Sequence, residues 1–210
     1  MKKRNASLLL FGVLGAALLA FGCASNKMLP GNETLIGGCK EKPKWVKKPA
    51  IKNTKEAKAF MGVSFRHSTE RMAMRYAETD VKNKIIDSLW GSYGRNKVRE
   101  VFSRAGITDA VIDDGTARDE MLEWKSKGYV RYDVAEYCTQ EWQRVDETGQ
   151  VRKYFKTWVL VMVDRDVMKR FLTDTLKAQK IKERKREARK NIDRALGLMK
   201  KMSTKDFEDW

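Results

Sequence analysis

The chain has 210 residues, with 44 lysines and arginines against 28 aspartates and glutamates, for a formal net charge of +16. This length is enough for one domain with a sizeable core and short for two. The single histidine and three cysteines show no Cys-x-x-Cys or His-x-x-x-His spacing, which argues against structural zinc. We therefore predict no metal site and no cofactor.

Residues 1–22 have the parts of a secretory signal peptide. Lys2, Lys3 and Arg4 form a charged start, and an apolar run interrupted by two glycines extends from Leu8 to Phe21. A membrane-spanning helix needs about 20 apolar residues, so this shorter run is predicted to be cleaved and not retained. Because it holds three basic residues and no acidic one, the remaining 188 residues still carry a net charge of +13.

The apolar run ends in Leu19-Ala20-Phe21-Gly22-Cys23, which resembles the lipobox of bacterial lipoproteins. This resemblance implies that cleavage makes Cys23 the new N-terminus and that its sulfur carries lipid. Ala20 and Gly22 also fit the small-x-small pattern of an ordinary signal peptidase. A soluble secreted protein is therefore the alternative, and export is predicted in both cases.

Export determines how the basic charge is interpreted. In a cytoplasmic chain the same charge would indicate a nucleic-acid partner, which we do not predict here. Outside the cytoplasm the available polyanions are lipid headgroups, lipopolysaccharide phosphates and acidic cell-wall polymers. An exported chain also lies in a compartment that permits disulfides. A bond between Cys39 and Cys138 would close a loop of about 100 residues, but the spacing alone does not decide whether they pair.

After the signal peptide we predict a flexible tether over residues 23–42, an α+β domain over 43–168 and a basic helix over 169–210. The tether is rich in glycine and polar residues and lacks a sustained period. The domain is predicted to begin at residues 43–46, and the apolar run 59–65 predicts its first strand.

A long helix is predicted to follow, capped by Ser68 or Thr69. Apolar residues recur at steps of four along it and predict its buried face: Ala73, Ala77, Val81, Ile85 and Leu89. The sequence of residues 95–126 predicts further short helices. Strand patterns over 130–142 and 151–163, on either side of a turn at 146–149, then predict a long antiparallel hairpin.

The C-terminal helix, capped by Asp164, is predicted to extend away from the domain. Residues 177–201 hold eleven basic and three acidic residues, and apolar residues almost vanish across 182–187. The segment is interpreted as a solvated helix or as an arm that binds an anionic surface or a protein partner. Deletion of residues 177–210 is expected to leave the domain folded. The candidate interaction residues are Lys182, Arg184, Lys185, Arg186, Arg189 and Lys190.

No motif in the chain indicates catalysis. P-loop, dinucleotide-binding and zinc-protease motifs are absent, and no nucleophile-elbow motif accompanies His67. We therefore predict no catalytic residue and no enzymatic activity. The alternative is an envelope enzyme or glycan-binding protein acting on cell-wall sugars, with the tryptophans at 45, 90, 124, 142 and 158 stacking on the sugar rings.

Several of these features together resemble the LPP20-like bacterial lipoproteins. They are the signal with Cys23, the segments Pro43-Lys44-Trp45-Val46 and Phe60-Met61-Gly62-Val63-Ser64, the helix containing Ala73 and Ala77, and the run Trp158-Val159-Leu160-Val161-Met162. The resemblance covers about residues 43–168. It implies a long helix on a small antiparallel sheet, anchoring in the cell envelope by lipid, and a non-enzymatic role in assembling outer-membrane, surface or motility structures. Ala24 after Cys23 is compatible with sorting to the outer membrane.

Overall fold

The computed structural model describes residues 31–107 and 114–210, and its described part has the predicted α+β architecture. One antiparallel sheet has the strand order β1-β3-β4-β2. The strands are β1 (Glu33–Gly38), β2 (Ala57–His67), β3 (Asp133–Val145) and β4 (Val151–Asp164). The helices are α1 (Lys44–Lys47), α2 (Glu70–Trp90), α3 (Ser92–Arg104), α4 (Asp114–Lys127), α5 (Asp166–Lys182) and α6 (Arg186–Lys201). Short 3-10 turns lie at Pro49–Lys52 and Thr204–Phe207.

The predicted hairpin is confirmed as β3 and β4, which form the centre of the sheet. Asp146 organises the turn between them, because one of its carboxylate oxygens accepts hydrogen bonds from the backbone N–H groups of Thr148 and Gln150 at 3.0 and 2.9 Å. The Thr148 hydroxyl and these N–H groups lower the pKa of Asp146 to about 2. Gly149 completes the turn with a φ of 80°, a backbone conformation that residues other than glycine rarely adopt.

The predicted long helix is confirmed as α2, and its alanines let it lie directly on β2. The Thr69 hydroxyl caps the helix by accepting a hydrogen bond from the N–H of Met72. The Ser64 hydroxyl donates to the Ala73 carbonyl oxygen at 2.6 Å. At Gly62 a Cβ atom would overlap the Ala77 carbonyl oxygen and lie 2.8 Å from the Cβ of Val81. Gly62 therefore sets how closely helix and sheet approach.

The opposite face of the sheet carries a smaller apolar cluster beneath α1. Trp45 is buried there with Trp158 and Leu160. Cys39 and Cys138 form a disulfide at the edge of this cluster, with Cα atoms 5.7 Å apart. They meet because β1 pairs with β3, and the Cys39 N–H bonds to the carbonyl oxygen of Thr139.

The prediction of a tether through residue 42 is wrong for residues 33–38, which form the edge strand β1. Glu33 holds this strand to the sheet by ion pairs with Arg66 at 2.9 Å and Lys156 at 3.1 Å. The Tyr154 hydroxyl and the Lys156 ammonium group beside it lower the pKa of the Glu33 carboxyl. The glycine-rich composition hid the strand, because cross-strand pairing and not local propensity stabilises it.

The prediction of one extended C-terminal helix is also wrong, because the chain turns at residues 183–185 and α6 runs back against α5. Ile192, Ala195 and Met199 are buried in the main core, which they reach only through this turn. The proposed boundary at residue 168 falls inside α5. Deletion of residues 177–210 would remove these core side chains, so it should destabilise the domain and not leave it folded as the sequence suggested.

Arg165 ties the end of the described chain to the sheet. Its Nη1 donates to the carbonyl oxygens of Phe207 and Trp210 at 3.1 and 2.9 Å, and its Nη2 donates to that of Thr54 at 3.2 Å. The Trp210 ring packs against Phe60 of β2, with ring centroids 5.6 Å apart. The last residues therefore belong to the folded domain.

The close contact at Gly62 gives a stability prediction. Gly62→Ala should lower the free energy of unfolding by about 1–3 kcal/mol, because the added methyl group has no space against the α2 backbone. Gly197→Ala is the matched control: this position lies inside α6 with open space around it. It should raise stability by about 0.5–1 kcal/mol through helix propensity. Urea unfolding followed by circular dichroism measures both, and an unchanged midpoint for Gly62→Ala would contradict the packing argument.

Candidate functional site

The candidate site is the turn between α5 and α6, where the structure brings all six predicted interaction residues together. Lys182 ends α5, Arg184 and Lys185 lie in the connection, and the other three occupy the first turns of α6. All six are exposed. We call the segment 180–190 the basic tip. Almost no apolar side chains are present here to bury, so the two helices project from the core at this point.

Most of the cations of the basic tip have no carboxylate partner among the residues that the structure describes. Lys182 pairs with Asp119 of α4 at 2.8 Å, and Lys180 pairs with Asp193 across the two helices at 2.6 Å. The Glu183 side chain accepts a hydrogen bond from the Lys185 backbone N–H. The following side chains form no ion pair with a residue that the structure describes: Arg184, Lys185, Arg186, Arg189 and Lys190.

Helix stability accounts for Lys180 and Lys182 in the last turn of α5 but not for the cations at the start of α6. The N-terminus of α6 carries the positive end of the helix dipole, and cations there cost about 0.3–1 kcal/mol each at low ionic strength. Glu187 is the only acidic residue in the first turn, whereas Arg186 lies beside it. An anionic partner would offset both this cost and the mutual repulsion of the cations. The arrangement therefore favours binding of a polyanion.

Ile181 adds an apolar contact to the basic tip. Its side chain is 83% exposed, the most exposed large hydrophobic residue in the described part of the chain. A lone exposed isoleucine is ordinary on a protein surface. Flanked by Lys180 and Lys182, however, it is suited to a surface that presents both anionic groups and apolar patches.

The other predicted residues fall into two groups. Cys23 lies outside the described residues, so its lipidation stays a prediction. The tryptophans at 45, 90, 124 and 158 are buried. Trp142 is half-buried, and the Lys156 ammonium lies 4.4 Å from the centroid of one of its rings. These indoles therefore offer little exposed face for the stacking on sugar rings that the glycan-binding alternative assigned to them.

His67 does not form part of a recognisable catalytic arrangement in the described chain. Its ring stacks on Tyr76, with centroids 4.4 Å apart. In residues 31–107 and 114–210, no three His, Cys, Asp or Glu side chains come together as a set that could bind a metal ion. Over the same ranges, no helix has both the length and the apolar character needed to cross a bilayer.

No family model, curated protein or solved structure matches this chain. The resemblance to the LPP20-like lipoproteins therefore stays a prediction. The geometry of the described residues alone supports the assignment of the site.

Sequence reasoning found the cations of the basic tip and missed the carboxylates that position them. Asp119 lies 63 residues from its partner Lys182, so no local spacing indicates the pair. Asp193 meets Lys180 only because the chain reverses between them. The apolar residues at 192, 195 and 199 were the available signal for this reversal, since a fully solvated helix would not need them.

Neutralising cations of the basic tip should weaken binding to anionic membranes without destabilising the fold. The triple variant Arg184→Gln, Lys185→Gln, Arg186→Gln should not lower the free energy of unfolding, because these side chains are exposed and form no ion pair with a described residue, and because Lys185 and Arg186 oppose the dipole of α6. Three basic residues near an anionic membrane contribute about 1 kcal/mol each, so binding to vesicles containing phosphatidylglycerol should weaken about 100-fold at low salt. Vesicle co-sedimentation at low and high salt measures the effect.

A control for this experiment changes three exposed lysines elsewhere: Lys47→Gln, Lys48→Gln and Lys52→Gln, near α1. It lowers the net charge by the same amount and should keep most of the binding. An equal loss in both triple variants would assign binding to overall charge and contradict a role for the basic tip.

Proposed function

We propose that the protein is an exported lipoprotein of the cell envelope, anchored by lipid on Cys23, with a structural or protein-interaction role. The disulfide between Cys39 and Cys138 is the observation that carries the proposal, because disulfides persist in oxidising compartments and are rare in the cytosol. The disulfide supports export independently of the signal peptide that is predicted over residues 1–22.

The length of chain before β1 limits how far the domain can lie from its anchor. Glu33 lies ten positions after Cys23, and an extended chain spans at most about 3.3–3.6 Å per residue. Lipid on Cys23 would therefore hold the start of β1 within about 35 Å of the bilayer. Two or more acyl chains suffice for stable anchoring.

The anchor and the basic tip connect to opposite ends of the sheet. Glu33 pairs with Arg144, beside the turn between β3 and β4. Helix α5 leaves from the other end, directly after β4 ends at Asp164. A strand of 14 residues is about 45 Å long. The proposed role is thus to connect a membrane, through the chain before β1, with an anionic polymer, lipid surface or protein that binds the basic tip.

The resemblance to the LPP20-like lipoproteins adds a more specific proposal. It favours the outer membrane as the location and assembly of surface or motility structures as the process. Protein partners or self-association would then act together with the anionic surface that the basic tip favours.

Lipidation is tested by labelling cells with radioactive palmitate. The wild-type protein should carry label and fractionate with membranes, whereas Cys23→Ser should carry none, since the acceptor sulfur is lost. Cys39→Ser is the control, because it removes a cysteine that the proposal assigns to the disulfide. Absence of label from the wild type would refute lipid anchoring, and the fraction that contains the protein would then show whether it is exported.

Export is tested separately by the state of the thiols in living cells. With acid quenching and a maleimide polymer, the wild-type protein should show no reactive thiol, because Cys39 and Cys138 are paired and Cys23 is acylated. Cys39→Ser should expose one thiol, that of Cys138. A chain lacking residues 2–22 should stay in the reducing cytoplasm and expose all three. Reactive Cys39 and Cys138 in the wild type would contradict export.

A further inference from the structure

A second basic feature, separate from the basic tip, is a cleft of about 950 Å³. One wall is the end of α4 with the residues that follow it, the second is the polar face of α5, and the third is the end of α6 with Thr204. Gly128 lies in the first wall. Its φ of 65° ends α4 and turns the chain toward β3. The volume lies at the upper end of the range for small-molecule sites.

Cations dominate the lining of this cleft. Asp166 and Asp174 are its acidic residues, and each is already paired, with Arg170 at 3.4 Å and with Lys177 at 3.2 Å. Lys127 is paired outside the cleft, and its hydrogen bond with Glu123 raises the pKa of its ammonium group. The basic residues of the lining are Lys127, Arg131, Lys169, Arg170, Lys177 and Lys200.

Three of these cations have no carboxylate partner in the described chain, and each comes from a different wall. Arg131 follows α4, Lys169 lies on α5, and Lys200 lies near the end of α6. Lys169 is half-buried and donates only to the backbone carbonyl oxygens of Met202 and Lys200. A buried or half-buried cation without a counter-ion is costly, and a bound anion would offset that cost.

The walls also present groups suited to a sugar ring. The Tyr129 ring is 44% exposed and is held edge-to-face against the buried Trp124, with the Lys127 ammonium 5.7 Å from its centroid. The Thr173 hydroxyl donates to the Lys169 carbonyl oxygen at 2.7 Å, which leaves its own oxygen free to accept. An aromatic face with a few polar groups is typical of sites that bind carbohydrate-sized ligands.

We propose that this cleft binds a sugar-sized ligand carrying two or more phosphate groups. Unpaired cations on three walls suit a ligand with more than one anionic group, such as a sugar with phosphates at two ends. The cleft also has room for the organic part of such a ligand. A soluble sugar bisphosphate and the headgroup of a phosphorylated glycolipid share this chemistry.

Isothermal titration calorimetry on the full chain tests the proposal with glucose 1,6-bisphosphate as the probe and glucose as the uncharged control. We expect saturable binding of the bisphosphate and none of glucose. Arg131→Gln with Lys200→Gln should weaken bisphosphate binding at least tenfold. Arg184→Gln with Lys185→Gln at the basic tip removes the same charge and should weaken it less than twofold. All four side chains are exposed, so both variants should keep the wild-type melting temperature.

Vesicles containing a diphosphorylated glycolipid distinguish the two sources of the ligand. Vesicle binding that requires Arg131 and Lys200, and that the soluble bisphosphate displaces, would identify a lipid headgroup. Bisphosphate binding without vesicle binding would identify a soluble ligand. No saturable binding of either probe, or an equal loss in the cleft and tip variants, would overturn the proposal. Neither result depends on lipidation of Cys23.

Discussion

The guanidinium of Arg165 is the contact on which the C-terminal third of the fold depends. It lies at the junction of β4 and α5, is 5% exposed, and reaches carbonyl oxygens from the segment before β2 and from the last described residues. Hydrogen bonds from the two Nη atoms offset part of the hydration that the buried guanidinium loses, while its Nε has no hydrogen-bond partner in the described chain. These bonds hold the three segments together. The return of the chain to Arg165 requires α6 to run back along α5. The turn that forms the basic tip is a consequence.

Helix α5 then serves three surfaces at once. One face, with Val167, Phe171 and Leu172, is buried in the main core. The opposite face lines the cleft through Lys169 and Thr173. Its last turn carries the basic tip. Because the helix is held on its apolar face, the positions of the cations on the other faces are set by packing and not by their mutual repulsion.

The two ends of the sheet connect to different parts of the proposed function. At the end beside the β3–β4 turn, Glu33 and its partners Arg66 and Lys156 hold the edge strand that leads from Cys23. A little farther along β1, the disulfide fixes the same strand to β3 covalently. Tension on a lipid anchor would therefore act on a strand that is secured by pairing, charge and a covalent bond. The basic tip lies on the helices that follow β4, and the cleft lies between these helices and the end of α4.

The sequence by itself determined the elements whose signals are local. The four-residue recurrence from Ala73 to Leu89 predicted α2, and the alternation on either side of the 146–149 turn predicted the hairpin, because the partners in each case are near in the chain. The six cations of the candidate site could also be identified from the sequence, because a high local density of charge is visible without knowledge of the fold. Only the tertiary structure decided which distant groups meet. The pairing of Cys39 with Cys138 needs the register of β1 on β3, the reversal after Lys182 needs the burial of Ile192 and Met199, and the cleft needs Arg131, Lys169 and Lys200 on three separate walls. Each of these depends on contacts between segments far apart in the sequence, whose free energy is gained only when the whole core assembles.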